Sequence, residues 1–138
     1  MKTILLTGAT GFLGSNILKK ILELDEYKVV ILKRSFSDVF RISEIINRVK
    51  YYDIDLVPLE NAFKDNEIEV VLHTATQYGR KKNSTRVFDM VESNLILPLK
   101  LLDLSKKYNA ATFINTDTIL DKRVSMYSLS KKQFRDWL

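Results

Sequence analysis

Cysteine is absent from the 138-residue sequence, histidine occurs once, and no long apolar run is present. The lack of cysteine excludes disulfides and thiolate chemistry and is typical of a reducing compartment, so we expect a cytoplasmic protein. The longest apolar stretch, residues 95–104, is interrupted by Pro98, Lys100 and Asp103, which excludes a membrane-spanning helix there. We also expect no metal site.

Acidic residues are fewer than basic ones, which gives a net charge of +5, and many basic residues stand in pairs. Such pairs are typical of solvated helix ends, or they attract a ligand that carries several negative charges. Binding of nucleic acid would need a continuous basic face with aromatic platforms, and the sequence shows none, so we expect no nucleic-acid partner. The apolar and charged fractions, 46% and 28%, are ordinary for one globular domain.

Glycine is also scarce, and three of the four glycines fall in one turn, spaced G-x-x-G-x-x-G. An apolar run, residues 3–7, precedes this turn, and an amphipathic stretch follows it. A strand, a glycine-rich turn and a helix in that order form a corner whose free N–H groups bind a diphosphate. The alternative is a tight turn that binds nothing. The predicted diphosphate-binding residues are Gly8, Thr10, Gly11, Phe12, Leu13 and Gly14.

Strand and helix patterns alternate along the whole chain. We predict strands at 2–7, 28–32, 49–53, 69–74 and 110–115, and helices at 12–25, 37–48, 58–66, 84–108 and from 125 to the last residue. Residues 77–85 are predicted to form a loop. This alternation predicts an α/β fold, a doubly wound, Rossmann-like parallel sheet in the order 3-2-1-4-5 with helices on both faces. A ligand would bind at the carboxyl ends of the strands, beside the first strand.

Three strand ends carry residues suited to a dinucleotide. Lys33 and Arg34 follow the second strand, where a carboxylate would repel a 2′-phosphate, so two cations favour NADP over NAD. The alternative is an exposed strand end. Asp53 could accept a hydrogen bond from the adenine amino group while Ile54 packs on the ring. The small residues of Thr74-Ala75-Thr76 let the backbone pass close to the coenzyme.

Two residues of the last helix form the strongest catalytic candidate. Tyr127 and Lys131 are four residues apart, so they share one helix face, and the ammonium should lower the pKa of the phenol. Thr116, at the end of the fifth strand, could orient a substrate oxygen, or it could be a strand-end cap. The spacing alone is weak evidence because Tyr78 and Lys82 repeat it.

Two further polar residues have competing interpretations. His73 lies in the last turn of a predicted buried strand, which favours a hydrogen-bonded core histidine over an acid–base role. Asn94 lies four residues before Pro98, which has no N–H, so we expect a kink and a free carbonyl in the long helix.

Taken in chain order, these motifs resemble the extended short-chain dehydrogenase/reductases, a family of nucleotide-sugar epimerases, dehydratases and reductases. The resemblance implies that Lys131 also holds the nicotinamide ribose hydroxyls and that Asn94 supports Lys131 through water, so both are predicted to be coenzyme-binding residues. Thr118 stands where the sugar 4,6-dehydratases carry a glutamate base, which makes water elimination doubtful. The short gap between Thr116 and Tyr127 looks like that of the 4-ketoreductases that make deoxysugars.

The resemblance implies an NAD(P)H-dependent oxidoreductase that reduces or epimerises a nucleotide-activated sugar in deoxysugar or lipopolysaccharide biosynthesis. It also implies a homodimer through the long helix and the last helix. Family members carry a further C-terminal part that binds the sugar nucleotide. We therefore expect residues 1–138 to be the NAD(P)-binding domain of a longer protein, inactive alone. The alternative is a dinucleotide-binding redox sensor without catalytic activity.

Overall fold

A computed structural model describes residues 1–79 and 87–138 of the chain. Its five strands form one parallel sheet in the order β3-β2-β1-β4-β5, which confirms the predicted doubly wound arrangement. The strands are β1 (Lys2–Thr7), β2 (Tyr27–Lys33), β3 (Lys50–Asp53), β4 (Ile68–His73) and β5 (Thr112–Asn115). The order reverses beside β1, so β1 and β4 border the place where such sheets bind ligands.

Five helical segments among the described residues follow the predicted alternation with the strands, and two of them have five residues or fewer. They are α1 (Phe12–Leu24), α2 (Asn61–Lys64), α3 (Val87–Val91), α4 (Leu97–Lys107) and α5 (Met126–Arg135). Much of the predicted loop at 77–85 and the predicted start of the long helix at 84–86 lie outside the described residues. No helix among the described residues has the length and apolarity to cross a membrane.

The sheet is buried on both faces. One face packs Leu5, Val30 and Val71 against α4, while the other packs Leu6 and Ile31 against α1. Strands covered on both sides read as continuous apolar runs, which is why the middle of β1 and β2 is uniformly hydrophobic.

The predicted helix at 37–48 is wrong. The segment forms two 3-10 turns, Phe40–Ile42 and Ile46–Arg48, although Ile42 is buried as expected. Short polar side chains compete for the backbone here: Asp38 accepts from the Phe40 N–H, and the Ser43 hydroxyl donates to the Phe40 carbonyl.

The long helix contains a wide turn in place of a simple proline kink. The five residues Glu92–Ile96 between α3 and α4 form a π-helical turn, and the Leu97 N–H donates to the Glu92 carbonyl. Pro98 then lies in the first turn of α4, where its missing N–H is tolerated. The π-turn widens the helix at the position of Asn94.

The last helix is shorter than predicted. It begins after Ser125, whose side chain and that of Ser128 cap each other's backbone N–H groups. It ends at Arg135 with Asp136 as the C-cap, so Trp137 and Leu138 lie beyond it.

Close backbone packing explains the glycines of the turn between β1 and α1. Gly8 has a φ of +73°, and a Cβ on it would lie 2.6 Å from the Ala75 nitrogen. A Cβ on Gly14 would lie 2.1 Å from the Gly8 carbonyl oxygen and 2.9 Å from Thr74 Oγ1. The turn therefore presses directly against the segment that follows β4.

Replacing Gly14 with alanine should destabilise the fold, although alanine normally favours a helix. The added methyl group would overlap a backbone oxygen, so we expect a loss of about 1–3 kcal/mol in the free energy of unfolding. Lys19→Ala, an exposed position on α1, is the control and should change it by less than about 0.5 kcal/mol. Urea denaturation measures both, and equal stability of Gly14→Ala and the parent chain would refute the packing argument.

Candidate active site

The corner between β1 and α1 presents backbone N–H groups to an open space. The Gly11 N–H closes the turn on the Gly8 carbonyl at 2.9 Å, and no described side chain caps α1. Phe12 and Leu13 are exposed, and Thr10 is half-buried. A Cβ on Gly11 would meet only the Gly8 oxygen within 4 Å. The uncapped first turn and this open space fit a diphosphate group.

The end of β4 is fastened to the end of β1 by the Thr7 hydroxyl. Its oxygen accepts from the backbone N–H groups of Thr74 and Ala75, each at 3.2 Å. The Thr74 hydroxyl donates to the Thr7 carbonyl at 2.7 Å. Thr74 and Ala75 therefore lie against the glycine turn, where the sequence predicted them.

His73 is a core residue, in agreement with the sequence-based interpretation. It is fully buried, and its Nδ1 lies 2.7 Å from Thr7 Oγ1. Because that oxygen already accepts two N–H groups, its proton goes to Nδ1 and the neutral ring carries its own proton on Nε2. Burial, and then the charge of Lys131, lower the pKa of His73 to about 3. This side chain is unsuited to acid–base work at neutral pH.

Asn94 connects the π-turn to two other elements. Its Oδ1 accepts from the Gln77 N–H at 2.7 Å and from the Thr76 hydroxyl at 3.1 Å. Its Nδ2 donates to the Gln77 carbonyl at 2.9 Å and to Ser130 Oγ on α5 at 3.0 Å. All four hydrogen-bonding positions of this amide are filled by protein groups. Asn94 thus fixes α5 against the segment after β4 directly, and its side chain has no position left for a coenzyme.

Tyr127 and Lys131 lie on successive turns of α5, as predicted. Lys131 is only 2% exposed, and burial lowers the pKa of its ammonium group, with a smaller opposing effect from Asp117. Tyr127 stacks on Tyr78, with ring centroids 5.0 Å apart. Lys82, the other half of the repeated spacing, lies outside the described residues.

The pKa of Tyr127 moves in the direction opposite to the one that the sequence predicted. Burial raises it first, and the neighbouring Tyr78 and the charge of Asp117 raise it further, while a hydrogen bond with Thr76 opposes them. A lowering of the Tyr127 pKa by Lys131, which the sequence predicted, is not among these causes. In this arrangement Tyr127 stays protonated at neutral pH.

Thr116 lies at the end of β5, where it was predicted. Its N–H and its hydroxyl both donate to the His73 carbonyl, each at 3.1 Å. The lone pairs of the hydroxyl are free of this bond. The next residue, Asp117, accepts from Lys132 on α5 at 3.1 Å, which ties the β5 end to the same helix.

The two predicted cations at the end of β2 are paired with carboxylates. Lys33 Nζ lies 3.0 Å from Asp53 Oδ2, and Arg34 Nε lies 2.6 Å from Asp55 Oδ1. Ile54 lies between these carboxylates, and its N–H donates to the Lys33 carbonyl at 3.0 Å. Asp53 thus binds Lys33. The sequence predicted instead that its carboxylate would accept a hydrogen bond from adenine.

A cavity of about 220 Å³ opens beside these ion pairs. Pockets that hold a whole small molecule measure roughly 300–1,000 Å³, so this one suits a single part of a dinucleotide. Sequence reasoning missed the roles of Asp55 and Tyr78, although Tyr78 appeared in the repeated spacing. The cavity is lined by Arg34, Ile54, Asp55, Leu59, Glu92, Ser93, Leu97 and Lys100.

The family model described as the NAD dependent epimerase/dehydratase family matches residues 4–135. Two curated relatives are named CDP-abequose synthase. The protein from Salmonella muenchen is 30% identical over 96% of this chain, and that from Salmonella typhimurium strain LT2 is 32% identical over 95%. This chain spans 45% of the length of each.

Among solved structures, the UDP-glucuronic acid 4-epimerase of Bacillus cereus, in complex with NAD, superposes with a TM-score of 0.79. It is 25% identical, and the match covers 97% of this chain and 50% of that one. The similarity therefore extends over all the elements described above.

The buried His73 should make the free energy of unfolding depend on pH between pH 5 and pH 7, which lies above the range where carboxylates titrate. Below pH 6.5 the unfolded chain protonates this histidine, whereas the folded chain does so only near pH 3. The free energy of unfolding should therefore fall by about 2 kcal/mol between pH 7 and pH 5.

Urea denaturation at the two pH values measures this loss, and His73→Asn should abolish it. Imidazole nitrogen shifts of the parent chain at pH 5 give a second readout, because the ring should still be neutral. A protonated ring at pH 5 would contradict the prediction.

Proposed function

The chain belongs to the NAD dependent epimerase/dehydratase family, and we propose that it is the coenzyme-binding part of an oxidoreductase acting on a nucleotide-activated sugar. One observation carries the proposal: the Asn94–Ser130 bond fixes α5 against the segment after β4, with Tyr127 beside Tyr78. A proton donor thus lies at the same edge of the sheet as the glycine corner.

The proposed coenzyme is a nicotinamide dinucleotide, with NADP(H) favoured and NAD(H) accepted. The first turn of α1 would hold the diphosphate, and the cavity beside Ile54 would hold the adenine. Arg34 is half-exposed, which supports the proposal that it binds the 2′-phosphate of NADP(H). When bound, the coenzyme supplies or takes up a hydride.

Tyr127 would act as the proton donor to a substrate carbonyl oxygen. The raised pKa keeps the phenol protonated at neutral pH, as a proton donor must be, and it also makes the phenol a weaker acid. Lys131, one helical turn after Tyr127 on α5, would hold the ribose hydroxyls of the nicotinamide half of the coenzyme. Thr116 would orient the substrate oxygen by turning its hydroxyl proton from the His73 carbonyl, which it binds here, to the substrate carbonyl.

Reduction of a 4-keto sugar is the reaction that we favour, with epimerisation as the alternative. Thr118 cannot serve as the base for water elimination, and its hydroxyl accepts from the Leu120 N–H at 3.2 Å. The named relatives, CDP-abequose synthases, support a place in deoxysugar biosynthesis. The sugar would be bound by a C-terminal part outside residues 1–138, so this chain alone would not convert the sugar substrate.

The proposed homodimer would form through the long helix and α5. Phe88 on α3 is 76% exposed, and Leu129 on α5 is exposed as well, so both present apolar surface to a partner.

Sedimentation should show the parent chain as a dimer and Phe88→Glu as a monomer, because a charge would be buried in the interface. Leu56→Glu is the matched control, since Leu56 is also 76% exposed but lies outside both helices. A monomeric parent chain would refute the dimer.

Tyr127→Phe, made in a protein that includes the sugar-binding part, should lower turnover by about 100-fold or more. Coenzyme affinity should be unchanged, because the ring is retained. Consumption of NADPH with a nucleotide-linked 4-keto sugar measures turnover. Tyr27→Phe, at the opposite end of the sheet, is the control and should be fully active. If Tyr127→Phe turns over as fast as the parent protein, Tyr127 is not the proton donor. If the parent protein binds the coenzyme but shows no turnover, a redox sensor is favoured.

A further inference from the structure

The ends of β2 and β3 carry two cations and two anions. Lys33 and Asp53 are partners in the sheet register, and their side chains are mostly buried. The Asp53 carboxylate also accepts from the Ser35 hydroxyl and from the Asp55 N–H at 3.1 Å. Both side chains of the Lys33–Asp53 pair are therefore occupied by bonds within the protein. Lys33, whose side chain is 15% exposed, is therefore less accessible to a ligand than Arg34.

Arg34 is held at the edge of the 220 Å³ cavity by one of its nitrogens. Its Nε donates to Asp55, while the guanidinium lies over the Phe36 ring, 5.2 Å from the centroid. The side chain is 46% exposed, and its bonds to described side chains run through Nε alone. The two terminal nitrogens bind no described side chain, so they could bind a phosphate.

Asp55 is fixed in place by a second bond. Its Oδ2 accepts from the Ser35 N–H at 2.9 Å, while Oδ1 accepts from Arg34. Its side chain is 28% exposed, and it lines the same cavity as Arg34. An anion that approached Arg34 would meet this carboxylate at close range.

The cavity walls carry no net charge. Arg34 and Lys100 are balanced by Asp55 and Glu92, and the apolar side chains include Ile54. A neutral ribose hydroxyl and a charged phosphate would therefore both be tolerated, whereas an acidic wall would repel the phosphate.

We propose that Asp55 is a specificity-determining residue that competes with the coenzyme's 2′-phosphate for Arg34 and so keeps the preference for NADP(H) over NAD(H) small. The inference rests on the proposed function, because it assumes that the cavity holds the adenosine end of the coenzyme. It assigns Asp55 a role that the pair of cations in the sequence does not indicate.

The test is the ratio of the affinities for NADPH and NADH, measured by calorimetric titration of the chain. Asp55→Asn keeps an oxygen for the Arg34 bond but removes the repulsive charge, and it should raise the ratio by about tenfold. Asp121→Asn is the matched control, because Asp121 binds Arg123 Nε at 2.8 Å in the same manner but lies in the segment between β5 and α5. It should leave the ratio unchanged.

A second pair of probes isolates the adenosine end. Adenosine 2′,5′-bisphosphate should gain affinity in Asp55→Asn, whereas adenosine 5′-monophosphate should not. If the parent chain binds both coenzymes but Asp55→Asn leaves their ratio within about twofold, this inference is wrong and the proposed function stands. If the parent chain binds neither coenzyme, the proposed function fails and this inference fails with it.

Discussion

The Thr7 hydroxyl is the contact on which the arrangement of the site depends. It accepts from two backbone N–H groups after β4 and donates to His73, so a single oxygen joins the ends of β1 and β4. The glycine turn presses against Ala75 at this junction. From there the segment after β4 reaches Asn94, and through Asn94 it reaches α5. The proposed diphosphate corner and the proposed proton donor thus share one rigid support.

Most of the fold could be predicted from the sequence because buried parallel strands and glycine turns leave local patterns. β2 is a continuous apolar run, and the three glycines mark the one corner where backbones nearly touch. The predicted helix at 37–48 failed for a local reason that a hydrophobic pattern does not contain. Its apolar residues do pack in the core, but Asp38 and Ser43 bind the backbone and break the helix into turns.

The site was predictable in its positions and much less so in its charges. Tyr127 and Lys131 lie on the expected helix and Thr116 lies at the expected strand end. The pKa of the phenol, however, depends on burial and on Tyr78, which only the packing shows. At the adenosine end the sequence displays two cations, while their carboxylate partners come from a strand about twenty residues away. A count of charges along the chain cannot tell a free cation from a paired one. The roles of these residues stay predictions until they are tested.

The π-turn at Glu92–Ile96 has a consequence for how the chain can vary in length. Each residue of an α-helix advances by about 100°, so one insertion or deletion in this turn would rotate everything on one side of it by that angle. Asn94 would then face away from Gln77 and Ser130, and α5 would lose its bond to the segment after β4. A surface loop of five residues tolerates such a change. In this helical segment, by contrast, the number of residues is as important as their identity, because it sets the direction in which the following side chains point.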